Sequence, residues 1–291
     1  EDLIIVMRNL CRSIVSYKSQ KPSETIGSKH RRKKRKIGEI YGQSWNILKE
    51  EDFFKNTAVR LNNRFRANNV SLTDFVKDKT ILDCGAGCGN YSAAMAAFGA
   101  KRIVATDIGK GGLEVGRKMF RGTEYAGVVE FHQASSHNLP FESSSFDVVF
   151  CNSVIHVTEQ YEESLSEISR VLRKGGELFL YVDGKMGLFE LLANSLLCAL
   201  DDTSEADFID YGISLGVPAG RLGWIVSNLF VPYERRSKSE IRQLLAENGL
   251  HIKCEFFRGL ESDHIEKIGA QKPFAKLKYG EGEARFICVK K

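Results

Sequence analysis

No apolar run in this 291-residue chain approaches the roughly 20 residues that a membrane-crossing helix needs. No Cys-x-x-Cys pair occurs among the seven cysteines, at 11, 84, 88, 151, 198, 254 and 288, and their odd number and scatter do not make a disulfide framework. The reading is free thiols in a reducing, cytoplasmic setting. Cys84 and Cys88 lie four apart, but no second pair of ligands accompanies them, so a zinc site is not expected. There is no internal repeat. The first residues, Glu1-Asp2-Leu3-Ile4-Ile5-Val6, are apolar but open on two acids and soon meet Arg8 and Arg12, which argues against a signal peptide.

What is present is the composition of a globular protein, 43% hydrophobic and 27% charged, long enough to bury a core. The net charge of +5 is unevenly spread. Between Lys18 and Lys36 nine Lys/Arg face one acid, Glu24, a local +8 that leaves the rest of the chain at −3. Its densest part is Lys29-His30-Arg31-Arg32-Lys33-Lys34-Arg35-Lys36. Such a run can neutralise phosphates on RNA or DNA. It carries no interleaved aromatics for base stacking, and a solvated tail is the plainer reading.

Apolar spacing predicts a helix over 3–18, a polar linker to about 38, and a second helix near 51–67. Strands and helices then alternate. Strands are predicted at 80–84, 102–106, 128–133, 146–152 and 177–182, with helices at 90–98, 111–120 and 159–172, the last stopping at Lys174-Gly175-Gly176. Continuous apolar strands separated by helices predict a parallel sheet covered on both faces, an α/β class. Residues 184–236 break the rhythm and read as a mostly helical insertion. A helix at 238–248 and strands at 251–257 and 284–289 complete a seven-stranded sheet with a final antiparallel hairpin.

The decisive segment is Ile81-Leu82-Asp83-Cys84-Gly85-Ala86-Gly87-Cys88-Gly89-Asn90-Tyr91. An apolar strand runs into glycines at 85, 87 and 89, and a helix follows at once. Glycines let the backbone turn tightly and let a ligand approach where a Cβ would clash. The spacing is Asp-x-Gly-x-Gly-x-Gly, not the Gly-x-Gly-x-x-Gly of dinucleotide dehydrogenases. Asp107 ends the next strand, 22 residues after the first glycine. An acid there can accept both ribose hydroxyls of an adenosine.

Residues 80–182 resemble the core of class I S-adenosylmethionine-dependent methyltransferases, close to the branch with ubiquinone and menaquinone methyltransferases. The matching pieces stand in order: Asp83-x-Gly85-x-Gly87-x-Gly89, Asp107, Asn138-Leu139-Pro140-Phe141, Ser145-Phe146-Asp147-Val148-Val149, and Arg170-Val171-Leu172-Arg173-Lys174-Gly175-Gly176. The resemblance implies a Rossmann-like, doubly wound sheet and S-adenosylmethionine as cofactor, released as S-adenosylhomocysteine, with no metal. It places Asp83, Gly85, Ala86, Gly87, Gly89 and Tyr91 around the methionine part, Asp107 on the ribose and Ile108 on the adenine face. Ser135 and Ser136 fall near the adenine edge, and Asn152 at the end of the fourth strand. The family usually has an acid where Ser135 stands.

His156, in Asn152-Ser153-Val154-Ile155-His156-Val157, lies where the family's acceptor pocket opens, and is expected to bind the acceptor or take its proton. The insertion at 184–236 is expected to cover the crevice as a lid, with Trp224, Tyr233 and Arg235 toward a polar or anionic acceptor. The segments Tyr41-Gly42-Gln43-Ser44-Trp45, Arg258-Gly259 with Asp263 and Glu266, and Gly280 to Arg285 resemble bacterial class I methyltransferases, and Tyr41 and Trp45 are placed on the substrate side. The organisation expected is 1–70 as helices with the basic linker 18–36, 71–183 as the cofactor core, 184–236 as the lid and 237–291 as the end of the sheet.

The leading expectation is methyl transfer to oxygen or nitrogen of a small polar metabolite, a sugar or natural-product intermediate. One alternative is an RNA, DNA or protein methyltransferase docking through 29–36; another is a catalytically silent cofactor-binding partner subunit. An Asn-Pro-Pro-Tyr loop, expected of amino-group methylation in duplex DNA, is absent, the site reading Cys151-Asn152-Ser153-Val154. No membrane partner is expected, and the sequence specifies no oligomeric state.

Overall fold

The computed structural model describes residues 50–185, 187–199, 205–217 and 234–291. The predicted helix at 3–18, the basic run at 29–36, and Tyr41, Trp45, Trp224 and Tyr233 lie outside them. A π-helical turn, Asp52–Asn56, leads into α1 (Thr57–Arg66), and a short α2 (Leu72–Val76) follows. Then come β1 (Thr80–Cys84), α3 (Asn90–Ala97), β2 (Arg102–Asp107), α4 (Lys110–Phe120), β3 (Val129–Gln133) and β4 (Phe146–Asn152). After a 3-10 turn at Ile155–Val157 run α5 (Tyr161–Val171), β5 (Leu172–Asp183), α6 (Gly187–Ala199) and α7 (Glu205–Ser214). The chain ends with α8 (Lys238–Glu247), β6 (Leu250–Glu255), α9 (His264–Gly269), α10 (Ala275–Tyr279) and β7 (Glu283–Lys290).

These strands form one seven-stranded sheet in the order β3-β2-β1-β4-β5-β7-β6. The first five run parallel, while β7 lies antiparallel to both β5 and β6. This is the α/β, doubly wound class expected, with the final antiparallel hairpin. Strand order reverses between β1 and β4, where open α/β sheets open a crevice beyond their carboxyl ends.

The near-continuous apolar strands of the sequence are explained by burial on both faces. On one face Ile81, Ile103, Val148, Phe150 and Phe179 pack with Leu61 and Phe65 of α1 and the small side chains Ala93 and Ala94 of α3. On the other, Leu82, Val149, Cys151, Leu178 and Leu180 meet Leu165 and Ile168 of α5 and Ile241 and Leu245 of α8. Aromatic rings bind the first layer, with Phe150 on Phe179 at 4.7 Å between centroids and Phe65 on Phe179 at 5.4 Å.

Two details differ from the sequence reading. The helix expected to stop at Lys174-Gly175-Gly176 ends at Val171, and the chain passes straight into β5 without a loop. Leu172 is buried and already pairs with Phe146, and the next pairing is Val148 with Glu177, so Arg173 to Gly176 form a bulge. Gly175, at φ 73°, makes that bulge possible. The short helices α9 and α10 were not foreseen, because each spans too few residues to show a period.

Candidate functional site

The turn after β1 is built from three left-handed glycines, with φ of 75° at Gly85, 59° at Gly87 and 83° at Gly89. A side chain is strained there. Space matters as well. A Cβ on Gly85 would lie 2.2 Å from the Val154 side chain, and one on Gly89 2.8 Å from the Phe131 ring. The loop after β4 therefore closes over the first glycine, and β3 closes over the third.

Asp107 ends β2 beside this turn. Its Oδ2 accepts the Gly87 N–H at 2.8 Å and its Oδ1 accepts the Gly109 N–H at 2.7 Å. Each carboxylate oxygen offers about two acceptor positions, so both keep capacity for further donors such as vicinal hydroxyls. Burial raises the carboxyl, and the backbone donors at Gly109 and Gly87 oppose it. The next side chain, Ile108, is 55% exposed, an apolar surface beside a carboxylate. That pairing suits a flat heterocycle on a sugar.

Asp83 is fully buried under the turn, and its Oδ2 accepts the Ser92 hydroxyl at 2.6 Å. Burial pushes its carboxyl up to about 7, against the Ser92 hydrogen bond and with the help of the nearby Asp107 charge. Tyr91 begins α3 half-buried, its ring 5.7 Å from Phe150. Ser135 bonds the Nδ1 of His137 at 2.8 Å. Ser136 is buried and shares a hydrogen bond of 2.9 Å with Ser164 of α5, so its hydroxyl serves the packing of that helix. Ala86 is 6% exposed, and Asn152 is half-buried at the carboxyl end of β4.

Across the switch point lies a second polar group. His156 has no exposed surface. Its Nε2 sits 3.5 Å from the Ser153 hydroxyl and 3.9 Å from Oδ2 of Asp183, the last residue of β5. Tyr181 donates its hydroxyl to Asp183 Oδ1 at 3.1 Å. Burial lowers the His156 pKa, the Asp183 charge raises it and the Arg235 charge lowers it further, so the ring is held neutral. Arg235, buried in its turn, lies 4.0 Å from Glu190. The Glu234 N–H donates to the His156 carbonyl at 2.7 Å, which ties the end of the insertion to the loop after β4. Ser153 takes φ 64°, a strained value for a non-glycine residue in a loop that touches both halves.

The structure thus brings together the glycine turn, Asp83, Tyr91, Asp107 and Ile108 on one side and His156 with Arg235 on the other. Asp183 escaped the sequence reading, although it ends β5 as Asp107 ends β2, and the same strand-end logic finds it. Val154 and Phe131 were invisible, because which side chain lies over a glycine is a tertiary fact. Among the described residues there is no group of three or more His, Cys, Asp or Glu able to hold a metal.

Residues 82–180, from β1 through most of β5, match the methyltransferase domain family. Over that stretch the chain is similar to methyltransferase domains. Its curated relatives include the demethylmenaquinone methyltransferase of Clavibacter sepedonicus, 40% identical over 105 residues, which are 36% of this chain and 41% of that protein. A bifunctional biotin-biosynthesis protein of Cellvibrio japonicus is 32% identical over 130 residues, 43% of this chain and 25% of its own length. The chain therefore spans less than half the length of these relatives. Among solved structures, the geranyl diphosphate C-methyltransferase of Streptomyces coelicolor, in complex with Mg2+, geranyl diphosphate and S-adenosyl-L-homocysteine, superposes with a TM-score of 0.51 at 14% identity, covering 78% of this chain and 77% of that one. At that identity the likeness speaks for the fold. The matched stretch contains the glycine turn and Asp107, and it ends before the insertion at 184–236.

Proposed function

We propose that this chain is an S-adenosylmethionine-dependent methyltransferase acting on oxygen or nitrogen of a small polar metabolite, such as a sugar or natural-product intermediate. The observation that carries the reading is the Asp107 carboxylate, fixed by Gly87 and Gly109 at the mouth of a turn of three left-handed glycines. Ribose hydroxyls would donate to Asp107, the adenine would lie on exposed Ile108, and the turn at 85–89 would receive the methionine part. Ser135 falls near the adenine edge, and Asn152 near the junction of cofactor and acceptor. Bound there, the cofactor supplies a methyl group made electrophilic by its positive sulfur.

On the acceptor side, His156 would take the proton that an oxygen or nitrogen sheds as it gains the methyl group. A base must be neutral to do so, and burial keeps His156 neutral below its ordinary pKa of 6.5. Asp183 stabilises the imidazolium that forms. Because the family match stops at 180, the acceptor side is read from this chain's own residues.

Calorimetric titration with S-adenosylmethionine is the first test. Binding should weaken roughly tenfold or more in Asp107→Ala, as expected on losing charge-assisted hydrogen bonds; a wild-type chain that binds nothing would end the reading. Tritium transfer from labelled cofactor into fractionated cell extract then identifies the acceptor class, with label in protein or RNA counting against a small metabolite. With the acceptor in hand, His156→Asn should lower turnover by about 100-fold or more at saturating cofactor. The acid limb of the wild-type rate profile should lie below pH 6.5. Undiminished turnover in that variant would remove His156 from the chemistry.

A further inference from the structure

The loop and short helix at 271–280 carry three lysines, at 272, 276 and 278, and no acid. Ala275 anchors the segment in the interior, and Tyr279 stacks on His264 at 4.2 Å. The remaining side chains face outward. Phe274 is 71% exposed and Leu277 62% exposed, with Lys272, Lys276 and Lys278 exposed around them. Gln271 and Phe274 both hold positive φ, 50° and 60°, so the backbone is strained in a shape that keeps an aromatic ring in water.

A second element extends this surface. The first turn of α6 is pressed onto α10, since a Cβ on Gly187 would lie 2.3 Å from the Leu277 carbonyl. Leu188 and Leu191, spaced to share one face of α6, are 37% and 65% exposed beside it. Scattered single apolar residues on a surface are ordinary, but a gathered group flanked by three lysines marks an interaction site; Glu190, between the two leucines, is engaged by Arg235 at 4.0 Å. Exposed aromatic and leucine side chains among lysines match the boundary of an anionic bilayer, where the rings and chains enter the acyl region and the ammonium groups meet lipid phosphates.

We propose that the α6–α10 surface, with Phe274, Leu277, Leu188 and Leu191 and the exposed Lys272, Lys276 and Lys278 of the α10 segment, docks the protein reversibly on an anionic lipid surface. Docking requires no spanning segment, and among the described residues no helix is long and apolar enough to cross a membrane. The face lies just beyond Asp183, at the carboxyl end of β5. The crevice end of the sheet is thereby turned toward the bilayer. The proposal is independent of methyl transfer, because it is tested without cofactor or acceptor.

The test is sedimentation of the full chain with phosphatidylcholine vesicles, with and without about one third phosphatidylglycerol. Wild type should partition onto the anionic vesicles. Phe274→Ser with Leu277→Ser should weaken partition roughly tenfold, and replacing the three lysines by glutamine should weaken it by about fivefold per lysine. Both variants alter exposed side chains, and an unchanged thermal transition verifies their folding. Absence of vesicle binding overturns the proposal. So does binding that survives both variants and vanishes on deleting residues 18–36, which would make the basic run the attachment. A change in sedimentation coefficient of the free chain, with vesicle binding unaffected by the serine pair, would instead make this face a contact between copies and also overturn it.

Discussion

A single buried carboxyl, Asp83, gives the domain a legible dependence on pH. Burial raises it from an ordinary 3.8 to about 7, so the folded chain holds this proton more tightly than the unfolded one. Its contribution to stability is fully present below about pH 4 and is lost as pH rises to 7. Asparagine at 83 keeps an acceptor for Ser92 and removes the charge. Asp83→Asn should therefore raise the unfolding free energy from urea titration at pH 8, by up to about 4 kcal/mol, and leave it nearly unchanged at pH 4. Equal shifts at both values would refute the assignment. At this scale the sequence was a good guide wherever a residue type has one purpose. Glycines at 85, 87 and 89 announced a turn that only glycine makes, and all three have positive φ. It was a poor guide where a partner decides. Ser136 is expected near the adenine edge, and its hydroxyl also meets Ser164, 28 residues away, a pairing no local pattern announces.

Between elements, a buried chain of charges joins α1, the start of α9 and β7. Arg64 donates twice to Asp263, at 2.8 Å each, and Arg285 lies 3.2 Å from the same carboxylate. The Arg285 guanidinium also covers the Tyr181 ring at 4.7 Å. Burial alone would raise the Asp263 carboxyl, but Arg64 and Arg285 outweigh it and hold it at about 2. Its contribution is present above pH 3.8 and disappears as pH falls through about 2. Removing the carboxylate leaves two cations facing each other out of water, a loss typical of broken buried pairs. Asp263→Ala should cost about 3–5 kcal/mol in chemical denaturation, and Arg64→Met in the same chain should recover part of it. A cost under 1 kcal/mol would mean solvent reaches the cluster. Nothing in the sequence linked Arg64 to Asp263 or Arg285, because an ion pair spanning 199 positions has no local pattern. The strands were legible for the opposite reason. Runs such as Phe146-Asp147-Val148-Val149-Phe150 fill two faces at once, and burial on both faces leaves no alternation to misread.

For the whole molecule, charge and fold are separate properties. The region 18–36 carries +8, and its removal takes the formal net charge from +5 to −3. A run of that density acts on polyanions at long range and in a salt-dependent way. The sheet and its switch point are complete within residues 80–290. Deleting 18–36 should abolish retention on an immobilised polyanion at low salt while leaving the dissociation constant for S-adenosylmethionine within about twofold, since screened exposed charges contribute little across a Debye length. A cofactor affinity that collapses with the deletion would place that segment in the site.

The direct passage from α5 into β5 has a mechanical meaning. Ser164 on that helix steadies Ser136 at one end of the crevice, and the strand that follows delivers Asp183 to His156 at the other. Although Arg173 to Gly176 bulge, Leu172 before them and Glu177 after them both pair with β4, so the two ends are held in one frame. Amide exchange along 161–183 should then slow or quicken in unison when a ligand fills either end.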